Sequence, residues 1–423
     1  MIREMLFSEK RIVQKTYFWN LAANVLYALQ SVLLLFVISR YGTLEEAGVF
    51  SIIYTTTHML STLGNYSMRN FQVSDAENEY SFSNYWTSRI ISCGLMVLAG
   101  MIYGVVRYGF NDYLLIVLLF VGYRVTDCIE DVVHGLAQKE GRLDAASCVK
   151  TIRVVISSVV FSAVYIVTKS LVFATASMLV VSVFIVLYTT WIFTRVFPAL
   201  KYSLQFSKTW KLLWVCLPLC ASALIQTYII NSPKYAIDRL MSSETQAIFG
   251  FLFMPVFSIN LLVMFIFNPL VANLSQLWVE GEINKFRRII FRQILIISGF
   301  TVFAAVCSYL FGCELLGWFY GVQLTEHKVF LMILMFFGGI AALSTFMSIV
   351  ITIMRKQKEI MISYCIAMVF SFLFSDMMVR NYGMEGAGYL YGLLMAVILI
   401  SLTITVIRGF GQARKRENIA KES

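Results

Sequence analysis

The sequence predicts an all-α, polytopic membrane protein of about twelve transmembrane helices. Three observations predict it. Of 423 residues, 59% are hydrophobic and 14% charged, whereas ordinary soluble domains carry about 25% charged residues; the mean hydropathy is +0.76. Apolar runs of about 20 residues, the length of a helix crossing a bilayer, recur along the whole chain. Lys and Arg cluster in alternate connections between those runs, except the one after the second run, which holds Asp75, Glu77 and Glu79. Lipid offers the backbone no partners, so the spans must satisfy their own amides as helices.

The spans expected in the first half are Tyr17–Ser39, Ala47–Met68, Tyr85–Val106, Tyr113–Gln138, Asp144–Thr168 and Leu171–Arg195. Those of the second half are Leu212–Asp238, Thr245–Leu274, Phe286–Phe311, Val329–Met354, Ile360–Arg380 and Met384–Ile407. The N-terminal "MIREMLFSEKRIVQKTYFWN" is basic, but no small-residue cleavage site closes its apolar run, so it reads as an uncleaved first span. "VFPALKYSLQFSKTWK" is the longest polar connector and reads as an interfacial linker. It divides the chain into residues 1–200, with spans one to six, and residues 201–423, with spans seven to twelve and a basic tail.

Basic clusters at Lys10/Arg11/Lys15, Lys139/Arg142, Lys201/Lys208/Lys211, Lys285–Arg292, Arg355–Lys358 and Arg414–Arg416 alternate with loops holding mostly single basic residues. By the positive-inside rule both termini are cytoplasmic. The net charge of +10 then reflects orientation towards anionic headgroups rather than nucleic-acid binding. "SRYGTLEEAGVFSI" (39–52) and "DRLMSSETQAIFGF" (238–251) are weakly alike, each a polar turn, then Glu, then Ala before an apolar run. That is the pattern of a transporter built from two repeated halves.

The stretch "YRVTDCIEDVVHGLAQKEGR" (123–142) breaks the apolar pattern of the fourth span. Arg124, Asp127, Asp131, His134, Gln138 and Arg142 fall within an arc of roughly 80° on one helical face, with Glu130 at its edge. A charge at mid-bilayer costs about 2.5–3.5 kcal/mol on insertion scales, so that face must meet protein or water. The fifth span returns antiparallel with Lys150 near the level of Asp131 and Arg153 near Asp127. These three cations and three carboxylates sum to zero. Two readings stand side by side. In one, an interhelical ion-pair network locks the spans together or forms a gate, with Asp127, Glu130, Asp131, His134, Lys150, Arg69 and Arg89 as its candidates. In the other, Arg124 and Arg153 project into a cavity and bind an anion.

Arg69 and Arg89, near the cytoplasmic ends of the second and third spans, either snorkel to headgroups or receive a phosphate group. Asn24 in the first span, and Gln226, Asn231 and Lys234 in the seventh, are further candidates to line the cavity. Lys234–Asp238 and Asp376–Arg380 have the spacing of pairs on one helix. Pro218, Pro233, Pro255 and Pro269 concentrate in the seventh and eighth spans, as static bends or as a hinge.

The eight cysteines lie singly, without CxxC or Cys/His ligand spacing, and read as apolar packers. His58, His134 and His327 are too dispersed for a metal centre. No Walker lysine loop, dinucleotide fingerprint or nucleophile elbow is present, so neither an enzyme nor a cofactor is expected.

The two six-span halves, with both ends inside, resemble the multidrug/oligosaccharidyl-lipid/polysaccharide exporter superfamily. "SRYGTLEEAGVFSI" is similar to the Arg-x-Leu-Gly…Gly-x-Tyr/Phe stretch of its polysaccharide branch, with Tyr41 in place of Leu. "YRVTDCIEDVVHGLAQKEGRLDAAS" resembles the fourth-to-fifth-span region of some Wzx-type flippases. The resemblance implies two pseudo-symmetric six-helix lobes around a central cationic cavity. It implies alternating access for an undecaprenyl-pyrophosphate-linked oligosaccharide, in a bacterial cytoplasmic membrane. It implies membrane lipids and other polysaccharide-assembly proteins as partners, and Arg124, Arg153 and Lys234 as the carried-over cavity cations. The first span lacks a mid-membrane Arg or Asp, which departs from the lipid II flippase and drug-antiporter branches. A small-molecule/cation antiporter of the same fold is the alternative, with Asp127 or Asp131 as its coupling carboxylate.

Overall fold

The apolar runs are helices in the computed structural model, which describes residues 12–75, 79–197, 206–267 and 270–422. In the first half these are α1 (Ile12–Tyr41), α2 (Leu44–Asn65), the short α3 (Met68–Ser74), α4 (Phe82–Tyr108), α5 (Asp112–Lys139), α6 (Leu143–Thr168) and α7 (Leu171–Val196). The second half holds α8 (Phe206–Leu240), α9 (Ser243–Phe267), α10 (Leu270–Val279), α11 (Ile283–Cys307), the short α12 (Cys313–Tyr320), α13 (Lys328–Ile353) and α14 (Gln357–Glu422). Gly383 breaks α14 into two helices with φ 58°, a left-handed conformation that glycine adopts without steric cost. Eight helical stretches among the described residues are long and apolar enough to cross a membrane. The protein is an all-α, multi-pass membrane protein.

Short polar turns set the helix starts. Thr43 begins α2 with a reciprocal cap: its Oγ1 accepts from the Glu46 amide at 3.2 Å, and Glu46 Oε2 accepts from the Thr43 amide at 3.1 Å. Asn111 caps α5 by accepting from the amides of Tyr113 and Leu114. One span differs from the sequence expectation. The second was expected to run to Met68, but Tyr66 and Ser67 take left-handed φ values of 50° and 52°, and α3 leaves in a new direction carrying Arg69. The eighth, expected to run to Leu274, is described as α9 to Phe267 and α10 from Leu270, and residues 268–269 lie outside the described residues. Pro218 and Pro233 lie within the continuous α8 and Pro255 within α9. Pro198, Pro269, Lys10, Arg11 and Lys201 lie outside the described residues.

Two compact units result, Met1–Thr227 and Tyr228–Ser423, their boundary falling inside α8. In the first unit α1 packs along α6, α6 against α7, and α5 against α2, α4 and α7. Phe50, Tyr54, Phe120 and Phe161 form its aromatic centre, with ring centroids 5.7–6.1 Å apart across the helices. Gln30, wholly buried, ties four helices there: its Nε2 donates to Tyr123 and Ser158, and its Oε1 accepts from Tyr54. A second apolar cluster gathers Tyr66, Tyr80, Tyr85, Leu136, Phe193 and Leu212. In the second unit α13 lies against α9, α11 and α14. Phe251 stacks on Tyr320 at 4.2 Å, and Phe253 meets the edge of Tyr391 at 4.8 Å.

Candidate functional site

The polar face of α5 turns into the first unit. Arg124 and Arg153 are 0% exposed, and Asp127, Glu130 and His134 are buried. Arg153, reaching across from α6, donates to Asp127 Oδ1 at 2.5 Å and to Glu130 Oε2 at 2.7 and 3.1 Å. Arg124 donates to the other Asp127 oxygen at 2.9 Å and to the Tyr27 hydroxyl at 3.1 Å. Its guanidinium lies 4.4 Å from the centroid of the Tyr54 ring, so the aromatic face meets part of a charge whose remaining N–H groups have no acceptor. Removing one partner from such a buried pair costs about 3–5 kcal/mol, because the other charge is left uncompensated.

Asp131 belongs to a second, shallower pair of contacts. Arg89 donates to its Oδ2 at 2.9 Å and Arg69 to its Oδ1 at 3.3 Å. Arg89 also donates to the Gly64 carbonyl and the Asn65 side chain, and Arg69 to Gln138. The turn at Tyr66–Ser67 makes this possible, since α3 carries Arg69 back towards α5. The side chains of Arg69 and Asp131 stay 28% and 23% exposed, while Arg89 is buried. Arg142, last of the polar face, pairs with Asp144 instead.

The expected charge balance is therefore corrected. Arg69 and Arg89 join the cluster, and five cationic side chains meet three carboxylates. Asp131, expected opposite Lys150, is taken by the two arginines. Lys150 is half-buried and makes no ion pair within 4 Å among the described residues; its Nζ lies 4.5 Å from the centroid of the Tyr27 ring. Beside it, exposed on α2, is His58, its ring 6.2 Å from that of Tyr27. The cluster is thus layered, with a closed lattice around Arg124, Arg153, Asp127 and Glu130 and an open edge of Lys150, Tyr27, His58, Asp131 and Arg69.

The remaining candidates are elsewhere. Asn24 is exposed on α1 and donates to Asn20. Gln226 is exposed at the end of the first unit, whereas Asn231 and Lys234 belong to the second. Lys234 is 4% exposed, with its Nζ 5.7 Å from the Phe253 ring centroid. Asp376 accepts from Arg239 of α8 at 2.5 Å, across helices, in place of the Arg380 pairing expected along one. Tyr27, His58 and Gln30 complete the cluster although sequence reasoning did not join them to it. The available signal was Tyr27 one helical turn from Asn24 and Gln30 on the polar side of α1. His58 had no local pattern to mark it. No group of His, Cys, Asp or Glu among the described residues is arranged to hold a metal ion.

The solved structures similar to this one are transporters. An inward-facing multidrug-resistance MATE family transporter of the MOP superfamily superposes with TM-score 0.67 at 14% identity, covering 94% of this chain and 96% of that one. The chain has this transporter fold. The lipid II flippase MurJ, in an inward closed conformation, superposes with TM-score 0.68 at 11% identity, covering 96% and 90%. In sequence, the chain is 22% identical over 392 residues to the capsular polysaccharide biosynthesis protein CapF of Staphylococcus aureus, covering 92% of this chain and 97% of that protein. No family model matches. These likenesses agree with the resemblance drawn from the two sequence stretches.

Proposed function

We propose that the protein is a flippase that carries undecaprenyl-pyrophosphate-linked oligosaccharide units across the bacterial cytoplasmic membrane by alternating access, for surface polysaccharide biosynthesis. Both termini lie in the cytoplasm in this proposal, and the lipid-linked unit and the surrounding lipids are the partners. The observation that carries it is the excess of cations over carboxylates inside a membrane-embedded unit, with Lys150 unclaimed at its open edge. A sugar–pyrophosphate headgroup is anionic and strongly hydrated. It needs fixed positive charge along its path to replace lost water. Lys150 and Arg69 supply that charge where solvent reaches, and Tyr27 offers a hydroxyl and a ring edge to the sugar. Arg124 and Arg153 act one layer behind, holding the helices in register. Likeness to a capsular polysaccharide biosynthesis protein supports the same substrate class.

A cation antiporter of this fold would need a carboxylate open to a proton or metal ion. Asp127 is held by two arginines and Asp131 by two others, which favours the flippase. Replacement of Lys150 tests the proposal in a cell whose surface polysaccharide depends on this protein. Lys150→Gln is expected to cut surface polymer at least tenfold, with lipid-linked units accumulating on the cytoplasmic side and protein levels unchanged. Normal polymer in that strain would overturn the assignment of Lys150.

A further inference from the structure

We propose that His58 takes up a proton together with the anionic headgroup, so that the two enter the first unit as a pair. This rests on the reading of the Lys150 edge as the headgroup site. The three carboxylates of the cluster are each engaged by arginine, so none of them is poised to exchange a proton as the anion arrives. His134 is buried below the same face. His58 differs from all four. It is exposed on α2, it lies beside Tyr27, and its imidazole is paired with no carboxylate within 4 Å among the described residues.

The groups that face it define what it senses. From α1 comes Tyr27, whose hydroxyl donates to Asp127. From α5 come Arg124 and Asp127, and from α6 Lys150, all close enough to act on the imidazole through their charge. The Asp127 charge is already met by Arg124 and Arg153. From α4, Arg89 reaches α2 at Gly64 and Asn65, further along the helix, and is spent on Asp131. On α2 itself Tyr54 lies one turn away and is turned to the Arg124 guanidinium. With the site empty, an imidazolium at His58 would stand among cations. With a pyrophosphate against Lys150, it would stand beside two negative charges. Anion binding and protonation of His58 therefore favour each other, and the coupling is reciprocal by linkage.

No bond is made or broken beyond this transfer. A proton from water joins an imidazole nitrogen as the anion enters and leaves as it departs. One charge of the headgroup is then neutralised during transit.

The test is calorimetric binding of farnesyl pyrophosphoryl hexose to the full-length protein in detergent, in two buffers of different ionisation enthalpy. The phosphates of this diester do not titrate between pH 5 and 8, so proton uptake reports on the protein. The wild type is expected to take up up to one proton per ligand and to bind about tenfold more tightly per pH unit lost between the titrations of the bound and the free imidazole, the limit for one coupled proton. His58→Gln, with His58→Asn as a second variant, is expected to bind with no proton uptake and a flat pH profile. Uptake retained in both variants, or wild-type binding without uptake, would overturn the role of His58 while leaving the anion site standing. No binding by the wild type, or binding indifferent to Lys150→Gln, would instead remove the headgroup site and this proposal with it.

Discussion

The hydroxyl of Tyr165, near the end of α6, sits over Gly42 in the turn between α1 and α2 and leaves no room there for a Cβ atom. It donates to Glu46 Oε2 at 2.9 Å, the same oxygen that caps α2. Lys169 adds a hydrogen bond to the Tyr41 carbonyl at 2.8 Å. The stretch that resembles the polysaccharide branch is thus a clasp between the α1–α2 turn and α6.

Gly42→Ala should therefore destabilise the protein by about 1–3 kcal/mol, the usual cost of overpacking. Thermal unfolding in detergent reads this as a drop in midpoint. Tyr165→Phe removes the obstructing oxygen, so the double variant should lose less than the two single losses added together. Strict additivity would mean that the two residues do not press on each other.

Charge removal at Arg153 and at Lys150 should separate cleanly. Arg153→Lys retains the charge but loses the planar fork that reaches Asp127 and Glu130 together. It is expected to lower stability by several kcal/mol, towards the 3–5 kcal/mol of a broken buried pair. Lys150→Gln orphans no carboxylate and should shift the unfolding midpoint little. Equal losses in the two variants would contradict the layered arrangement of the cluster.

A pH dependence is expected at the loop between α3 and α4. Burial tends to raise the Asp75 carboxyl. The amides of Glu79 and Tyr80, the Tyr85 hydroxyl and the Lys139 charge outweigh that and hold it below the usual carboxylate value. A depressed carboxyl contributes stability that is complete above its unfolded pKa, about 3.9. That contribution is lost as pH falls through the lower, folded value. Wild type and Asp75→Asn should therefore differ in unfolding midpoint at pH 7 and converge below about pH 4. A gap that persists unchanged into acid would show that the carboxylate charge is not what matters there.

Much of the cluster was legible because hydrocarbon tolerates so little. The 3–4 spacing of Arg124, Asp127, Asp131 and His134 required an inward face, and antiparallel return placed Arg153 at the level of Asp127. The pairing of Asp131 was not legible. It depends on the left-handed turn at Tyr66 and Ser67, neither of which is a residue type that favours that conformation, and on Arg89 entering from α4. With those two arginines left out of the sum, Lys150 looked matched and the charges looked neutral. The same gap hid His58, whose neighbours come from α1, α5 and α6 rather than from its own helix. The separation of the last two spans was legible from hydropathy, and Gly383 with its left-handed φ falls between the expected limits Arg380 and Met384.

The bond from Arg153 to Asp127 and Glu130 has a bearing on biogenesis. α5 is not among the helical stretches long and apolar enough to cross a membrane, and Glu130 finds its cation on the next helix, which also supplies Asp127 with its second one. During synthesis the charged segment is expected to stay out of lipid until α6 emerges. The two then pass into lipid as one hairpin, so a chain cut after α5 would be left without a stable place in the membrane.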